Sequence, residues 1–159
     1  MWVCLSKTWP SGGPDWAAVG VLLDRGRILL IRRVSREGDP WSGQVAFPGG
    51  RWREGEDLLQ TAVREVEEEV GVRPTGLVGV MAPQSPKNAP WLKVVPFVFD
   101  RWEGEVRPNP REVAEARWVA REELAEEEWM GRYAYVAGSW VIWGLTFRIL
   151  KALVDCGLF

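Results

Sequence analysis

The chain has 159 residues, 20 Lys plus Arg against 22 Asp plus Glu, and a formal net charge of −2. This length predicts one domain with its own core, and the near-balanced charge argues against a basic nucleic-acid-binding protein. The sequence has no histidine, which excludes histidine triads and histidine-containing metal sites. Cys4 and Cys156 are too few for a cysteine-only zinc site or a disulfide framework. If the chain is an enzyme, it must use carboxylates, arginines and a bound metal.

The sequence also carries expectations about location. Its first residues lack a charged start followed by a sustained apolar stretch, so no signal peptide is predicted. The longest uncharged run, 133–147, is too short for a confident membrane span and is interpreted as part of a core helix. We therefore expect a soluble, cytoplasmic protein.

The first half of the chain predicts a hairpin. Apolar runs at 16–23 and 27–31 are typical of strands, and Asp24-Arg25-Gly26 between them is typical of a tight turn. A polar loop is predicted from Ser35 to Gly43. A short strand, 44–47, follows it and ends at a Pro-Gly-Gly turn.

The clearest helix signal covers Asp57 to Val70. Apolar residues recur there at every fourth position, which places them on one face of a helix. Gly71 supplies a left-handed end, and Pro74 prevents continuation. The residues of the apolar face are Leu58, Ala62, Val66 and Val70, widened by Leu59 and Val63.

The remaining elements predict an α/β fold with a mixed sheet packed between helices. Pro96 places its strand near an edge or a bulge. The predicted elements are strands at 77–81, 94–99 and 116–119, a short acidic helix at 121–128 and a closing helix at 139–154.

Three carboxylates share one face of the 57–70 helix. Glu65, Glu68 and Glu69 stand at i, i+3 and i+4, where like charges repel unless a cation lies between them. Oxygen-rich clusters suit Mg²⁺ or Mn²⁺, although a solvated acidic face is the common alternative. The neighbouring Arg64 and the upstream glycine turn at 48–50 favour a diphosphate-handling site.

These residues resemble the Nudix hydrolase signature, G-x5-E-x7-R-E-U-x-E-E-x-G-U, in which U is aliphatic. Gly50 is followed by five residues to Glu56 and then by seven to Arg64. Every specified position in 50–72 matches, which makes the signal far more specific than a lone glycine motif.

The resemblance implies a Nudix-type α/β/α sandwich, a single domain over 1–159, and hydrolysis of a nucleoside diphosphate linked to another group. It implies Mg²⁺ or Mn²⁺ as cofactor and a small nucleoside diphosphate derivative as partner, with no nucleic acid or membrane. The chain is expected to be a monomer or a homodimer. The resemblance implies that Glu65, Glu68 and Glu69 bind the metal and that one of them helps to deprotonate water. It implies that Arg64 orients a glutamate and that Glu56 supports the loop or a metal-bound water. The carbonyl of Gly50 would also contact the metal.

Two further glutamates lie ahead of the last predicted strand of the sheet. Some members of the family supply another metal or base carboxylate there, which would be Glu112 or Glu115 in this chain. A solvated charged loop is the equally open alternative for both.

A narrower resemblance concerns coenzyme A diphosphatases, whose block upstream of the signature is approximately LLTxRSxxxRxxxGxxxFPGG. This chain has LLIRR at 29–33 and GQVAFPGG at 43–50, and its IWGLTF at 142–147 is similar to the C-terminal IWGxTA of that subfamily. The resemblance implies substrate binding by Arg33, Arg36, Gly49 and Gly50.

The arginines depart from that pattern. If Arg33 fills the first arginine position, the loop to Gly43 is one residue longer than in the pattern, and Arg36 does not fall at the second arginine position. If the sequences are aligned without a gap, Val34 and Asp39 stand in place of the two arginines. An arginine here could grip the 3′-phosphate of coenzyme A. Hydrolysis of coenzyme A or acyl-coenzyme A is the leading interpretation. The alternatives are a Nudix enzyme for ADP-ribose, a dinucleotide or a nucleoside triphosphate, and a catalytically silent ligand sensor.

Overall fold

A seven-stranded mixed sheet organises the chain in the computed structural model, which describes residues 4–39 and 43–159. Five strands follow the order β3-β2-β1-β6-β5, while β4 pairs with β1 and β7 pairs with β2. The β1–β6 pair is parallel. The strands are β1 (Trp16–Asp24), β2 (Arg27–Arg33), β3 (Val45–Ala46), β4 (Gly49–Arg51), β5 (Arg73–Val80), β6 (Lys93–Glu103) and β7 (Val113–Ala120).

The predicted hairpin is confirmed. Arg25 and Gly26 have φ of 52° and 80°, the double positive φ of the tight turns that match strand twist. Side chains of β2 alternate between two apolar clusters, Ile28 and Leu30 on one face and Leu29 on the other. The sheet is therefore buried on both faces, as the continuous apolar run requires.

One helix covers each face. α1 (Leu58–Val70) packs on the face of Leu29, and α2 (Gly144–Asp155) packs on the face of Leu30. This arrangement confirms the predicted α/β/α class. No helix among the described residues is long and apolar enough to cross a membrane.

The ends of α1 agree with the sequence. The Asp57 carboxylate accepts a hydrogen bond from the Gln60 N–H, and the Gln60 side chain accepts one from the Asp57 N–H, which forms a capping box. Gly71 ends the helix in the left-handed conformation, with φ of 77°. Residues adjacent in the sequence therefore determine where α1 begins and ends.

Two predicted helices in the C-terminal third are wrong or too long. Residues 121–128 form a short 3-10 turn and then strand β8 (Ala125–Trp129), and the closing helix begins only at Gly144. Strands β9 (Arg132–Ala137) and β10 (Trp140–Ile142) occupy most of the uncharged run interpreted as helix. β8, β9 and β10 form a small separate sheet whose pairing depends on backbone hydrogen bonds that composition does not reveal.

The strand that contains Pro96 is not at an edge, but its pairing with β5 shifts register between Leu77 and Gly79, close to Pro96, which agrees with the predicted alternative of a bulge. β6 lies between β1 and β5. Its proline is tolerated because β5 has already ended there, and the Pro96 carbonyl accepts a hydrogen bond from the N–H of Met81, beyond the strand. Other boundaries differ by a few residues, and residues 40–42 of the predicted polar loop lie outside the described residues.

A disulfide joins Cys4 to Cys156, which are 152 positions apart. The sequence interpretation excluded only a framework of several disulfides, and spacing along the chain does not show that the two cysteines meet in space. The bond ties the N-terminal segment to the residue that follows α2.

We expect Cys156→Ser, or reduction of the disulfide, to lower the thermal midpoint of unfolding. Opening so long a covalent loop restores conformational entropy to the unfolded state and lowers the free energy of unfolding by about 5 kcal/mol. For a domain of this size, that loss lowers the thermal midpoint by roughly 10 °C or more. Calorimetry with and without reductant measures the change. The matched control is Cys156→Ser in reductant, which should melt like the reduced wild type. Equal melting of oxidised and reduced wild type would contradict the prediction.

Candidate metal and diphosphate site

A cavity of about 190 Å³ opens where the glycine turn, α1 and the segment before β7 meet. Its lining combines carboxylates with arginines, which is the composition that a site for metal and phosphate requires. The lining residues are Arg33, Val34, Arg36, Asp39, Gly49, Gly50, Glu65, Glu69 and Glu112.

Three carboxylates converge in this cavity. Glu65 and Glu69 lie one turn apart on α1, and Glu112 reaches them from the segment before β7. One oxygen from each lies within 4.8 Å of the others. Oxygen-only ligands at this spacing fit Mg²⁺ or Mn²⁺.

The segment that carries Glu112 is fixed to the C-terminus of α1. The N–H of Arg107 donates to the carbonyl of Val70 at 2.7 Å, and the N–H of Asn109 donates to the carbonyl of Glu69 at 2.8 Å. The last carbonyls of a helix lack partners within the helix, so this loop satisfies them. Of the two glutamates that the sequence left open, Glu112 joins the cluster.

Glu115, the other open candidate, lies within β7 opposite Arg32, apart from the described cluster. Its position in a strand follows from the pairing of β7 with β2. The sequence signal, a glutamate ahead of a strand, therefore does not by itself distinguish the two residues.

Burial dominates the electrostatics of the cluster. The Glu69 side chain is 1% exposed, and burial raises its pKa to about 8, although the Gly49 N–H donates to its Oε1 at 2.7 Å and opposes the shift. Burial also raises the pKa of Glu65. Carboxylates in this environment hold a proton or require a cation. A cation in the cavity would meet that requirement.

Arg64 connects the loop after β4 to α1. Its guanidinium donates to both carboxylate oxygens of Glu56, at 2.7 and 3.0 Å, and to Glu65 at 2.6 Å. It also donates to the carbonyl of Arg51 at 3.0 Å. The hydrogen bonds from Arg64 hold the pKa of Glu56 below its ordinary value. Arg64 therefore contacts both the loop and the helix, while its positioning role and the loop-supporting role of Glu56 stay predictions.

Glu68 lies at the margin of the site. Its side chain is 42% exposed and pairs with Arg53 at 3.7 Å and with Arg64 at 3.5 Å. It is not among the three carboxylates that converge. The role of Glu68 as a metal ligand stays a prediction.

The predicted glycines lie against the carboxylates. A side chain at Gly50 would place its Cβ 2.5 Å from the carboxyl carbon of Glu65 and 2.8 Å from both oxygens. Only glycine leaves this space to the carboxylate. Gly49 donates its N–H to Glu69, as described above, so one glycine holds a carboxylate through the backbone and the other leaves room for a carboxylate.

The predicted arginines lie in the same cavity. Arg33 approaches Glu69 at 3.9 Å and Asp39 at 3.8 Å, and its Nε is buried without an acceptor among the described residues. Arg36 donates to the carbonyl of Arg111. The cavity thus places cationic donors beside the carboxylates.

The fold and the cluster define an oxygen-ligand site on a Nudix-like sandwich, and comparison with known proteins agrees. The NUDIX domain model matches residues 14–137, and the chain belongs to this family. It is 36% identical to Nudix hydrolase 22, chloroplastic, of Arabidopsis thaliana over 163 residues, covering 86% of this chain and 53% of that protein. It is also 36% identical to an ADP-ribose pyrophosphatase of Methanocaldococcus jannaschii over 88 residues, covering 54% of this chain and 49% of that one.

A solved structure supports the fold. The MutT NUDIX hydrolase from Burkholderia pseudomallei superposes with a TM-score of 0.57 at 25% identity, covering 74% of this chain and 92% of that one. The chain spans about half the length of each of the two curated relatives.

We expect the metal-free protein to lose stability as the pH rises from about 4.5 to about 8. The folded state keeps a proton on Glu69 up to a pKa of about 8, whereas the unfolded state releases it near 4.5. Because the folded state binds more protons between these values, the free energy of unfolding falls as the pH rises through this window.

The measurement is thermal melting in EDTA across this pH range, for wild type and Glu69→Gln. The variant should lose much of the pH dependence, while Glu127→Gln, on the exposed part of β8, should retain it. The same pH dependence in wild type and Glu69→Gln would contradict the assignment.

Proposed function

We propose that the chain hydrolyses the diphosphate bond of coenzyme A or acyl-coenzyme A, with Mg²⁺ or Mn²⁺, to 3′,5′-ADP and 4′-phosphopantetheine or its acyl derivative. The observation that carries the proposal is one cavity lined by Glu65, Glu69 and Glu112 together with Arg33 and Arg36. The carboxylates suit a divalent cation, and the arginines suit the extra phosphate that distinguishes coenzyme A. The GQVAFPGG block at 43–50 supports the same substrate class.

In the proposed reaction, water adds to one phosphorus and the bridging P–O bond breaks, so that the electron pair leaves with the other phosphate. A carboxylate of the cluster takes the proton that water loses. A bound divalent cation supplies Lewis-acid stabilisation of the phosphate oxygens and lowers the pKa of water. Arg64 positions Glu65 through its 2.6 Å hydrogen bond, and Glu56 fixes Arg64.

Arg33 is the residue proposed to recognise the substrate's 3′-phosphate. Its contacts to Glu69 and Asp39, at 3.9 and 3.8 Å, are ion pairs beyond hydrogen-bond length, and its buried Nε has no acceptor among residues 4–39 and 43–159. A phosphate oxygen would satisfy that donor and form charge-assisted hydrogen bonds with the guanidinium. Arg36, in the same cavity, adds positive charge.

We expect Glu69→Gln to reduce kcat for coenzyme A by about a hundredfold or more, because an amide cannot take a proton from water or provide an anionic ligand. Steady-state turnover in Mg²⁺ or Mn²⁺, with products identified by mass spectrometry, tests this. The control is Glu127→Gln, which should retain wild-type kcat. Wild-type turnover by Glu69→Gln would refute the proposed site.

We expect Arg33→Gln to lower kcat/KM for coenzyme A by roughly tenfold to a hundredfold, the value of a charged hydrogen bond, and to lower it less for dephospho-coenzyme A. The ratio of kcat/KM for the two substrates separates the loss of the 3′-phosphate contact from any general effect of the substitution on Glu69. Arg25→Gln is the matched control, since this residue lies in the turn at the opposite end of β2. An equal loss for both substrates would show that Arg33 does not read the 3′-phosphate.

ADP-ribose hydrolysis is the second candidate. It is favoured by the similarity to the Methanocaldococcus protein, whose name states that activity. A panel of coenzyme A, ADP-ribose, NADH and nucleoside triphosphates separates the two. Faster turnover of ADP-ribose, with coenzyme A untouched, would favour the second candidate. Metal binding with no turnover of any substrate would favour a ligand sensor.

The other expectations accompany this proposal. They are a single domain over 1–159, a cytoplasmic location, a monomer or homodimer, and no nucleic-acid or membrane partner. None of them changes the chemistry proposed for the cavity.

A further inference from the structure

Asn109 lies where the last turn of α1 meets the segment that carries Glu112. Its N–H donates to the carbonyl of Glu69 at 2.8 Å, and its side-chain Nδ2 donates to the carbonyl of Glu68 at 3.4 Å. Both acceptors belong to the last turn of the helix, whose carbonyls lack partners within the helix. Asn109 therefore joins α1 to this segment through both its backbone and its side chain.

The turn that begins at Asn109 places Glu112. The carbonyl of Asn109 accepts the N–H of Glu112 at 3.0 Å and the N–H of Val113 at 2.8 Å, and its side-chain Oδ1 accepts the N–H of Arg111 at 3.1 Å. Asparagine followed by a proline, here Pro110, is typical of the first two positions of a tight turn. The asparagine side chain bonds the backbone two residues on, and the proline fixes φ. Glu112 is the fourth residue of this turn, so the turn sets where its side chain starts.

These bonds connect two members of the carboxylate cluster. Asn109 contacts the backbone of Glu69 through its N–H and the backbone of Glu112 through its carbonyl. The other side of the segment is held by β2, because the N–H of Val34, which follows that strand, donates to the carbonyl of Glu112 at 3.0 Å. A divalent cation needs its oxygen ligands close together, and the cluster keeps one oxygen of each carboxylate within 4.8 Å of the others. Fixing the two backbones to each other preserves that spacing.

We propose that Asn109 is a positioning residue for the divalent cation, because its side chain fixes the turn that holds Glu112 beside Glu69. This inference rests on the metal site of the proposed function and adds to it a residue outside the three carboxylates. The side chain carries the effect, since every residue except proline can donate the backbone N–H, whereas the bond to the N–H of Arg111 needs a side-chain acceptor. Groups that orient metal ligands in this way change metal affinity without touching the metal.

Calorimetric titration with Mn²⁺ alone, without substrate, tests the proposal. Asn109→Ala should weaken Mn²⁺ binding by about tenfold, because the turn loses its side-chain bond and Glu112 is held less firmly. Asn109→Ser should recover part of the affinity, since a hydroxyl accepts the same N–H more weakly. The matched control is Asn88→Ala, in an exposed turn before β6, which should bind Mn²⁺ like the wild type.

A double-mutant cycle with Glu112→Gln separates positioning from general stability. If Asn109 acts through Glu112, Asn109→Ala should cause little further loss of Mn²⁺ affinity in the Glu112→Gln background. Any loss of folding stability, measured by thermal melting, should instead be similar in both backgrounds. Unchanged Mn²⁺ affinity of Asn109→Ala, or a full loss that persists in the Glu112→Gln background, would overturn the proposal. Asn109→Ser completes the same cycle if Asn109→Ala fails to fold by circular dichroism.

The failure of this proposal differs from a failure of the metal site itself. If Glu69→Gln and Glu112→Gln weaken Mn²⁺ binding but Asn109→Ala does not, the site is retained and only the role of Asn109 is rejected. If the wild-type protein binds no Mn²⁺, the metal site is rejected, and the role of Asn109 is rejected with it.

Discussion

The site depends above all on the hydrogen bonds of one guanidinium. Arg64 donates to both oxygens of Glu56, to Glu65 and to the carbonyl of Arg51. These bonds join the loop after β4 to α1 and fix Glu65 beside Gly50. Because an arginine offers five donors in a planar fork, one side chain can hold a loop, a helix and a carboxylate together. The convergence of Glu65 with the rest of the cluster follows from this arrangement.

Neighbouring groups stabilise the charge of the buried carboxylates only in part. Glu69 receives one backbone hydrogen bond and a distant ion pair from Arg33, yet burial raises its pKa to about 8. A group so placed costs stability when it is charged without a cation, so it is unsuited to a purely structural role. The arrangement favours a site in which a proton and a metal cation compete for the same few oxygens.

Local signals in the sequence predicted the first half of the fold well. The turn at Arg25 and Gly26, the capping of α1 and its end at Gly71 each depend on a few adjacent residues. The C-terminal third was mispredicted because the strand at 125–129 has mostly exposed side chains and depends on pairing with the strand at 132–137. For Pro96, local signals indicated an edge or a bulge, and the end of β5 beside it depends on how the sheet is assembled.

The sequence by itself determined the residue types of the site and their spacing along α1, since helical periodicity places Glu65 and Glu69 one turn apart. Tertiary structure decided that Glu112 completes the cluster while Glu68 stays at the margin. It also decided that Cys4 meets its partner Cys156. The physical reason is the same in each case: contacts between distant segments depend on how helices and sheets pack, and spacing along the chain carries little information about that packing.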